Sequence, residues 1–245
     1  MNVIKIGGNA IPALNEQFYQ QLAEWTTAGQ SVLIVHGGGL LISQVADFFH
    51  QVTEKIDGIR KTDAQMLELT QGVLADLVQP FFASQLEAHG LEVTRLNSKG
   101  KIPLQADYLD QALYGEVGKV TGWDEDVFTK LPAGKIALLA SLGQGPAGQI
   151  LNINADAVAQ EVAILAKAEE LILLTDVAGL KIDGQVLKQA SPSDIQDFIT
   201  AKEITGGMIP KVTAACEVLH AGVQSVRITD QINHPGTLLA QSKGA

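Results

Sequence analysis

The chain has 245 residues, 46% of them hydrophobic, enough for one large α/β unit or two lobes around a full core. Its 17 Lys and Arg stand against 27 Asp and Glu for a formal net charge of −10, which argues against nucleic acid or an acidic membrane face as a partner and requires any bound anion to be met by locally placed cations. No run reaches transmembrane length, no secretory signal precedes Lys5, and the lone Cys216 cannot form an intramolecular disulfide, so a soluble protein of the reducing cytoplasmic compartment is expected.

Val3 to Ile6 is a short β-branched run, Glu16 to Ala28 reads as a helix stopped at Gly29, and Ser31 to Val35 as a second strand running into His36-Gly37-Gly38-Gly39. That is a βαβ unit. Leu40 to Phe49 predicts a helix launched from the glycine triplet, and Thr62-Asp63-Ala64-Gln65 has the capping-box pattern that opens a long helix toward Glu87, closed at Gly90. Leu91 to Leu96 returns as a strand. From Asn97 to Pro132 the pattern changes to short alternating pieces broken at Lys99-Gly100, Tyr114-Gly115 and Lys119 to Gly122, which predicts inserted hairpins forming a lid or a subunit-facing flap.

Lys135 to Leu142 predicts a buried strand, Gln149 to Ile153 a short one, and Asn154 the N-cap of a helix from Ala155 to Leu165. Leu171 to Thr175 is strand-like and continues into Asp176-Val177-Ala178-Gly179. Ser191-Pro192-Ser193-Asp194 caps a helix over Asp194 to Ala201, Met208 to Ala221 forms the last helix, and Ser225 to Ile228 a further strand. Strands alternating with helices predict a mainly parallel sheet covered on both faces, a three-layer αβα sandwich.

Three glycine turns carry the chemical signal: Lys5-Ile6-Gly7-Gly8, the triplet Gly37 to Gly39, and Gly206-Gly207-Met208-Ile209-Pro210-Lys211. A strand that ends in paired glycines and turns into a helix presents amide hydrogens with no side chain in the way, at the positive end of a helix dipole. Any one of them is equally well read as a tight turn; their recurrence points to an anion site. Lys211 falls in the first helical turn, where the dipole disfavours a cation unless an anion is bound. Lys5 lies in a strand, where a buried ammonium is costly without a partner, although an edge strand would also accommodate it. Asn152-Ile153-Asn154-Ala155-Asp156 sets two amides and a carboxylate at a strand-to-helix junction, and Arg60, just before a capped helix, has the fork to grip a carboxylate.

Familiar motifs divide the alternatives. There is no G-x-x-x-x-G-K-[ST] and no G-x-S-x-G, and the histidines at 36, 50, 89, 220 and 234 form no zinc pattern with one cysteine. Gly143 to Gly148 does match G-x-G-x-x-G, which would make a dinucleotide-dependent oxidoreductase. Pro146 and the following Gln149 to Ile153 point instead to a loop between strands, whereas the fingerprint needs a helix at its third glycine.

Taken in order, Lys5-Ile6-Gly7-Gly8, Val35-His36-Gly37-Gly38-Gly39, Gly58-Ile59-Arg60, Gly115-Glu116-Val117-Gly118, Leu151-Asn152-Ile153-Asn154-Ala155-Asp156, Thr175-Asp176-Val177-Ala178-Gly179 and Gly207-Met208-Ile209-Pro210-Lys211 resemble the amino acid kinase family over nearly the whole chain, and within it the branch acting on N-acetyl-L-glutamate. The resemblance implies the amino acid kinase fold as a single domain, 1–245, with a lobe at 1–168 for the amino acid and the dimer contact and a lobe at 169–245 for ATP. It implies that Lys5 and Lys211 neutralise the migrating phosphoryl group, that Asp156 orients both, and that amides around Gly7, Gly8, Gly37 and Gly38 line the site. Arg60 and Asn152 would then bind the substrate's α-carboxylate side, while Thr175, Asp176, Gly179 and Gly207 border ATP.

The implied activity is phosphorylation of a γ-carboxylate in arginine biosynthesis, with Mg²⁺ held mainly by ATP phosphates and water and no protein metal cluster. A sister kinase acting on acetylaminoadipate, aspartate, glutamate, carbamate or UMP is the nearest alternative. Ile6 and Ile59 replace commoner family leucines. The chain opens at its first strand, whereas arginine-inhibited hexameric relatives carry a further N-terminal helix, so the expectation is a homodimer insensitive to arginine.

Overall fold

The structure, a computed structural model, describes residues 1–98, 100–128, 131 and 133–241. Lys99, at a break within the expected hairpin insertion, and Pro132, its end, lie outside them. The chain opens with β1 (Asn2–Ile6), α1 (Glu16–Thr27), β2 (Val32–His36) and α2 (Gly39–Phe48), followed by a hairpin of β3 (Lys55–Ile56) and β4 (Ile59–Arg60). Next come α3 (Ala64–Gln71), a π-helical stretch (Gly72–Val78), α4 (Gln79–Ala88), β5 (Val93–Arg95), β6 (Leu104–Tyr108), α5 (Gln111–Tyr114), β7 (Gly118–Trp123) and α6 (Glu125–Phe128). The remainder runs β8 (Ile136–Ala140), β9 (Leu142–Gln144), β10 (Ile150–Asn152), α7 (Ala155–Leu165), β11 (Glu170–Leu174), β12 (Lys181–Ile182), β13 (Gln185–Val186), β14 (Gln189–Ala190), α8 (Pro192–Thr200), α9 (Met208–His220), β15 (Ser225–Thr229) and β16 (Thr237–Ala240).

One sheet runs β14-β16-β15-β11-β1-β2-β8-β5, parallel at every pair except β15 with β16. Successive strand residues face opposite ways, and the two apolar layers divide accordingly. Val3, Val35, Leu139, Leu173 and Ile228 pack with Val158 and Val162 of α7 and Val212 and Val218 of α9. Ile4, Ile6, Ile34, Leu138 and Ile172 pack on the other side with Phe18, Ile42, Leu74 and Phe82 from the N-terminal helices. The result is the expected αβα sandwich. A second sheet, β10-β9-β6-β7, joins the antiparallel pair β6 and β7, from the stretch read as inserted hairpins, to β9 and β10 from beyond it.

Four local readings change. The Thr62 hydroxyl does not cap α3; Asp63 does, accepting from the Met66 amide at 2.8 Å, while Thr62 Oγ1 donates to the Arg60 carbonyl at 2.9 Å. The apolar run Lys135 to Leu142 is two strands in two sheets, because the chain changes sheets at Ser141 with no glycine or proline to mark it. The long helix contains the π-helical stretch. The pairings of β3 with β4, β12 with β13, and β14 with β16 were not expected, since two-residue strands leave no periodicity to read. The G-x-G-x-x-G segment is the turn of an antiparallel hairpin, with Gly145 N donating to Gln149 O at 2.7 Å, as its proline implied.

Candidate active site

Lys5 is the penultimate residue of β1, which lies between β2 and β11, so the edge-strand reading falls. Its side chain is 17% exposed, and Nζ meets Asp156 Oδ1 at 3.0 Å. Asp156 stands in the first turn of α7, where Asn154 fixes its approach by accepting from the amides of Asp156 at 2.8 Å and Ala157 at 3.3 Å. Lys211 has a different partner: its Nζ donates to Thr175 Oγ1 at 3.3 Å, just past the end of β11. Asp156 is thus seen holding one lysine, Lys5, rather than both, and Thr175 holds the other. Thr175 also donates to Asp176 Oδ1 at 3.0 Å. That hydroxyl, the residue's own backbone and the charges of Lys211 and Lys5 hold the Asp176 carboxyl below the usual aspartate range, against a smaller opposing effect of burial.

A cavity of about 570 Å³ opens among these groups. Lys5, Gly7, Gly8, Gly37 and Gly38 line it with Asp156, and Arg60, Asn152, Thr175 and Asp176 complete the set of expected residues on its wall. Lys211, Gly179 and Gly207 are not on the wall. Lys211 reaches it through Thr175. Gly179 has a packing reason instead: at φ 149° a Cβ there would stand 2.6 Å from Thr237 Oγ1, which itself accepts from the Leu180 amide at 2.9 Å. Gly207 is the N-terminal residue from which α9 starts.

The first two glycine turns touch backbone to backbone. A Cβ on Gly8 would lie 2.4 Å from the Gly37 carbonyl oxygen and 2.7 Å from Gly38 Cα, so this approach admits no side chain. The Gly37 amide donates to Ile6 O at 3.2 Å, which ties the turns together and removes that hydrogen from the set available to an anion. No such crowding surrounds Gly7.

Arg60 is 8% exposed and forms part of the wall. One terminal nitrogen, NH2, donates to Gly39 O at 3.0 Å and Ser43 Oγ at 2.8 Å; the other, NH1, is buried without a partner and is the natural donor for a carboxylate. Burial lowers its pKa from the ordinary guanidinium value, opposed by the charge of Asp47. Asn152 closes β10 and donates through Nδ2 to Thr62 Oγ1 at 3.0 Å, joining the second sheet to the start of α3.

Ser141, Lys55 and Asp230 line the cavity without having been expected there. Asp230 pairs with His234 at 2.9 Å, and that partner is the main influence holding its carboxyl low. A signal for Ser141 and Asp230 existed: each follows the C-terminal end of a strand of the main sheet, as Gly7, Gly37 and Thr175 do, and ligands of open α/β sheets gather there. Among the described residues no group of three or more His, Cys, Asp or Glu could hold a metal ion, and no helix is long and apolar enough to cross a membrane.

The sequence model of the amino acid kinase family matches residues 1–230. A protein from Lactiplantibacillus plantarum named acetylglutamate kinase is 39% identical over 239 residues, covering 98% of this chain and 96% of the relative. One of the same name from Streptococcus sanguinis is 39% identical over 240 residues, 98% of each. Among solved structures, smu.665 from Streptococcus mutans UA159 superposes with a TM-score of 0.89 at 38% identity over 98% of both chains. Carbamate kinase from Giardia lamblia bound to AMP-PNP does so at 0.68 and 17% identity over 98% of each, a likeness of fold alone.

Proposed function

This chain belongs to the amino acid kinase family, and from that premise we propose that it uses ATP to phosphorylate the γ-carboxylate of N-acetyl-L-glutamate, giving N-acetylglutamyl 5-phosphate for arginine biosynthesis. The observation that carries the reading is one cavity lined by Lys5, by Thr175, to which Lys211 is hydrogen-bonded, and by a buried arginine with a free donor.

A γ-carboxylate has a reference pKa of about 4.3, so near pH 7 the nucleophile is already ionised and needs no general base. The difficulty is an anion attacking an anion. A carboxylate oxygen bonds to the γ-phosphorus as the bond to the ADP oxygen breaks, and ADP leaves with that electron pair. Lys5 and Lys211 neutralise the equatorial oxygens, and the amides of Gly8 and Gly38 are the proposed donors beside them. Asp156 keeps the Lys5 ammonium in place between turnovers.

Arg60 NH1 and Asn152 bind the α-carboxylate side of the substrate, which sets the distance from there to the reacting oxygen. Thr175 and Asp176, with Gly207 at the start of α9, border the nucleotide in the lobe at 169–245, and residues 1–168 hold the amino acid. Mg²⁺ enters as the counter-ion of ATP; it commonly keeps waters and takes phosphate oxygens, so a wall with isolated carboxylates such as Asp176 is compatible with it.

The surface of the first lobe supports a homodimer. Phe48, Phe49 and Val52 are 78%, 62% and 88% exposed, with Leu77 and Phe81 also outward on the neighbouring helical stretch. Exposed apolar side chains of this size mark interaction sites. Light scattering is expected to return twice the chain mass, and a monomer mass at micromolar concentration would remove the dimer.

ATP-dependent trapping of the acyl phosphate with hydroxylamine, run across candidate acids, tests the reaction. Hydroxamate is expected from N-acetyl-L-glutamate. A stronger signal from acetylaminoadipate would reassign the substrate, since one methylene is worth only about 1 to 3 kcal/mol. No hydroxamate from any acid would sink the kinase reading.

A further inference from the structure

Gly179, off the cavity wall, belongs to a buried clasp that none of the roles above uses. Thr237, the first residue of β16, is 0% exposed, and Leu180 is 1% exposed. The Thr237 hydroxyl accepts from the Leu180 amide at 2.9 Å and donates to the Leu187 carbonyl at 2.5 Å. The partners fix both directions, since a backbone N–H can only donate and a carbonyl can only accept.

Leu180 and Leu187 flank the hairpin of β12 and β13, whose register pairs Lys181 with Val186 and Ile182 with Gln185. The flanking pair continues that register, and in an antiparallel ladder a hydrogen-bonded pair exchanges both backbone bonds. Here Leu187 N donates directly to Leu180 O at 2.7 Å, and the reciprocal bond is relayed through the Thr237 hydroxyl. The base of the hairpin is thereby tied to the main sheet, because Thr237 stands opposite Ile228 in the pairing of β16 with β15. The Leu238 amide adds a bond to Lys188 O at 3.0 Å.

The clasp is closed too tightly for a side chain at 179. At φ 149° a Cβ there would stand 2.6 Å from Thr237 Oγ1 and 2.7 Å from Val186 Cγ1. At the other end of the same segment, the Thr175 amide donates to Thr229 O at 3.0 Å. The segment 175–179 is therefore pinned to the β15–β16 pair at both ends, by Thr229 at its entry and by Thr237 at its exit. Between the pins it carries Thr175, the acceptor for Lys211, and Asp176, both on the cavity wall.

We propose that Thr237 is a positioning residue for nucleotide binding: its hydroxyl fixes the exit of segment 175–179 to the sheet and so holds Thr175 and Asp176 where ATP meets them. Without the clasp the nucleotide itself would have to order the segment, and that cost would appear in the affinity for ATP. The proposal rests on the kinase reading for its ligand and on the hydrogen bonds of the clasp for its geometry.

Thr237→Val keeps the shape of the side chain and removes the hydroxyl, whereas Thr237→Ser keeps the hydroxyl. In steady-state kinetics Thr237→Val is expected to raise KM for ATP on the order of tenfold, with KM for N-acetyl-L-glutamate within about twofold. Thr237→Ser is expected to stay within about twofold of the unsubstituted enzyme for both substrates. An unchanged KM for ATP in Thr237→Val, equal damage by the two variants, or a loss shared evenly between the substrates overturns the positioning role. The unsubstituted protein supplies a test that needs no variant to fold. Residue-resolved amide exchange is expected to place Leu180 among the slowly exchanging amides, and saturating ATP to shift the amide resonances of 175–179. Fast exchange at Leu180 removes the clasp and unshifted resonances remove its link to nucleotide, so either overturns the proposal. Absence of acyl phosphate from every acid, with those shifts present, would defeat the kinase reading and leave the clasp standing.

Discussion

The two lysines of the site are held in opposite ways. Lys5 sits on an interior strand, 17% exposed, with an ion pair to Asp156 at 3.0 Å, so its position is set by the sheet before any ligand arrives. Lys211 stands in the first turn of α9, where the helix dipole opposes its charge, and its recorded hold is one hydrogen bond to Thr175 at 3.3 Å. The difference teaches that one cation is preorganised by the fold, while the other is placed where a bound anion would relieve its electrostatic conflict.

The largest effect that could break this contrast is removal of each ammonium. Lys5→Ala is expected to reduce kcat on the order of 10³-fold, and Lys211→Ala somewhat less, about 10²-fold, with KM values changed only a few-fold because both act on the transition state. Lys5→Ala also leaves Asp156 facing the phosphoryl anion without its partner. If Lys211→Ala proved the more damaging in steady-state assays, the assignment of Lys5 as the preorganised clamp would be wrong.

Smaller changes test what holds each lysine. Asp156→Asn is expected to cost about fivefold in kcat, since a partly exposed ion pair is worth on the order of 1 kcal/mol. Thr175→Val removes one long hydrogen bond, 3.3 Å, and is expected to cost about threefold, toward the low end of the ~0.5–1.5 kcal/mol typical of intramolecular hydrogen bonds. Measured in the Lys5→Ala background, Asp156→Asn should lose its effect, because the two act as a pair; full additivity of the two changes would disprove the coupling.

How far the sequence reached depended on the range of the force involved. Asn154 and Ser191 were readable as caps because a cap is decided within one helical turn, and both accept the amides expected of them. Pro146 betrayed the false dinucleotide motif for the same local reason. Thr62 misled because Thr and Asp are adjacent and both can cap; in the fold the threonine hydroxyl donates to the Arg60 carbonyl and accepts from Asn152, distant in the chain, while Asp63 takes the helix amide. The division of the run from Lys135 into β8 and β9 was equally invisible, since both sheets accept the same apolar residues.

By itself, then, the sequence determined the glycine turns, the charged residues beside them and the alternation that makes a parallel sheet, all of which follow from backbone freedom, charge and side-chain periodicity. Only the tertiary structure decided that Lys5 is interior, that Asp156 pairs with it, and that Thr175 takes Lys211. Those outcomes depend on hydrogen bonds and burial between segments far apart in the chain, and such contacts have no period and leave no local mark.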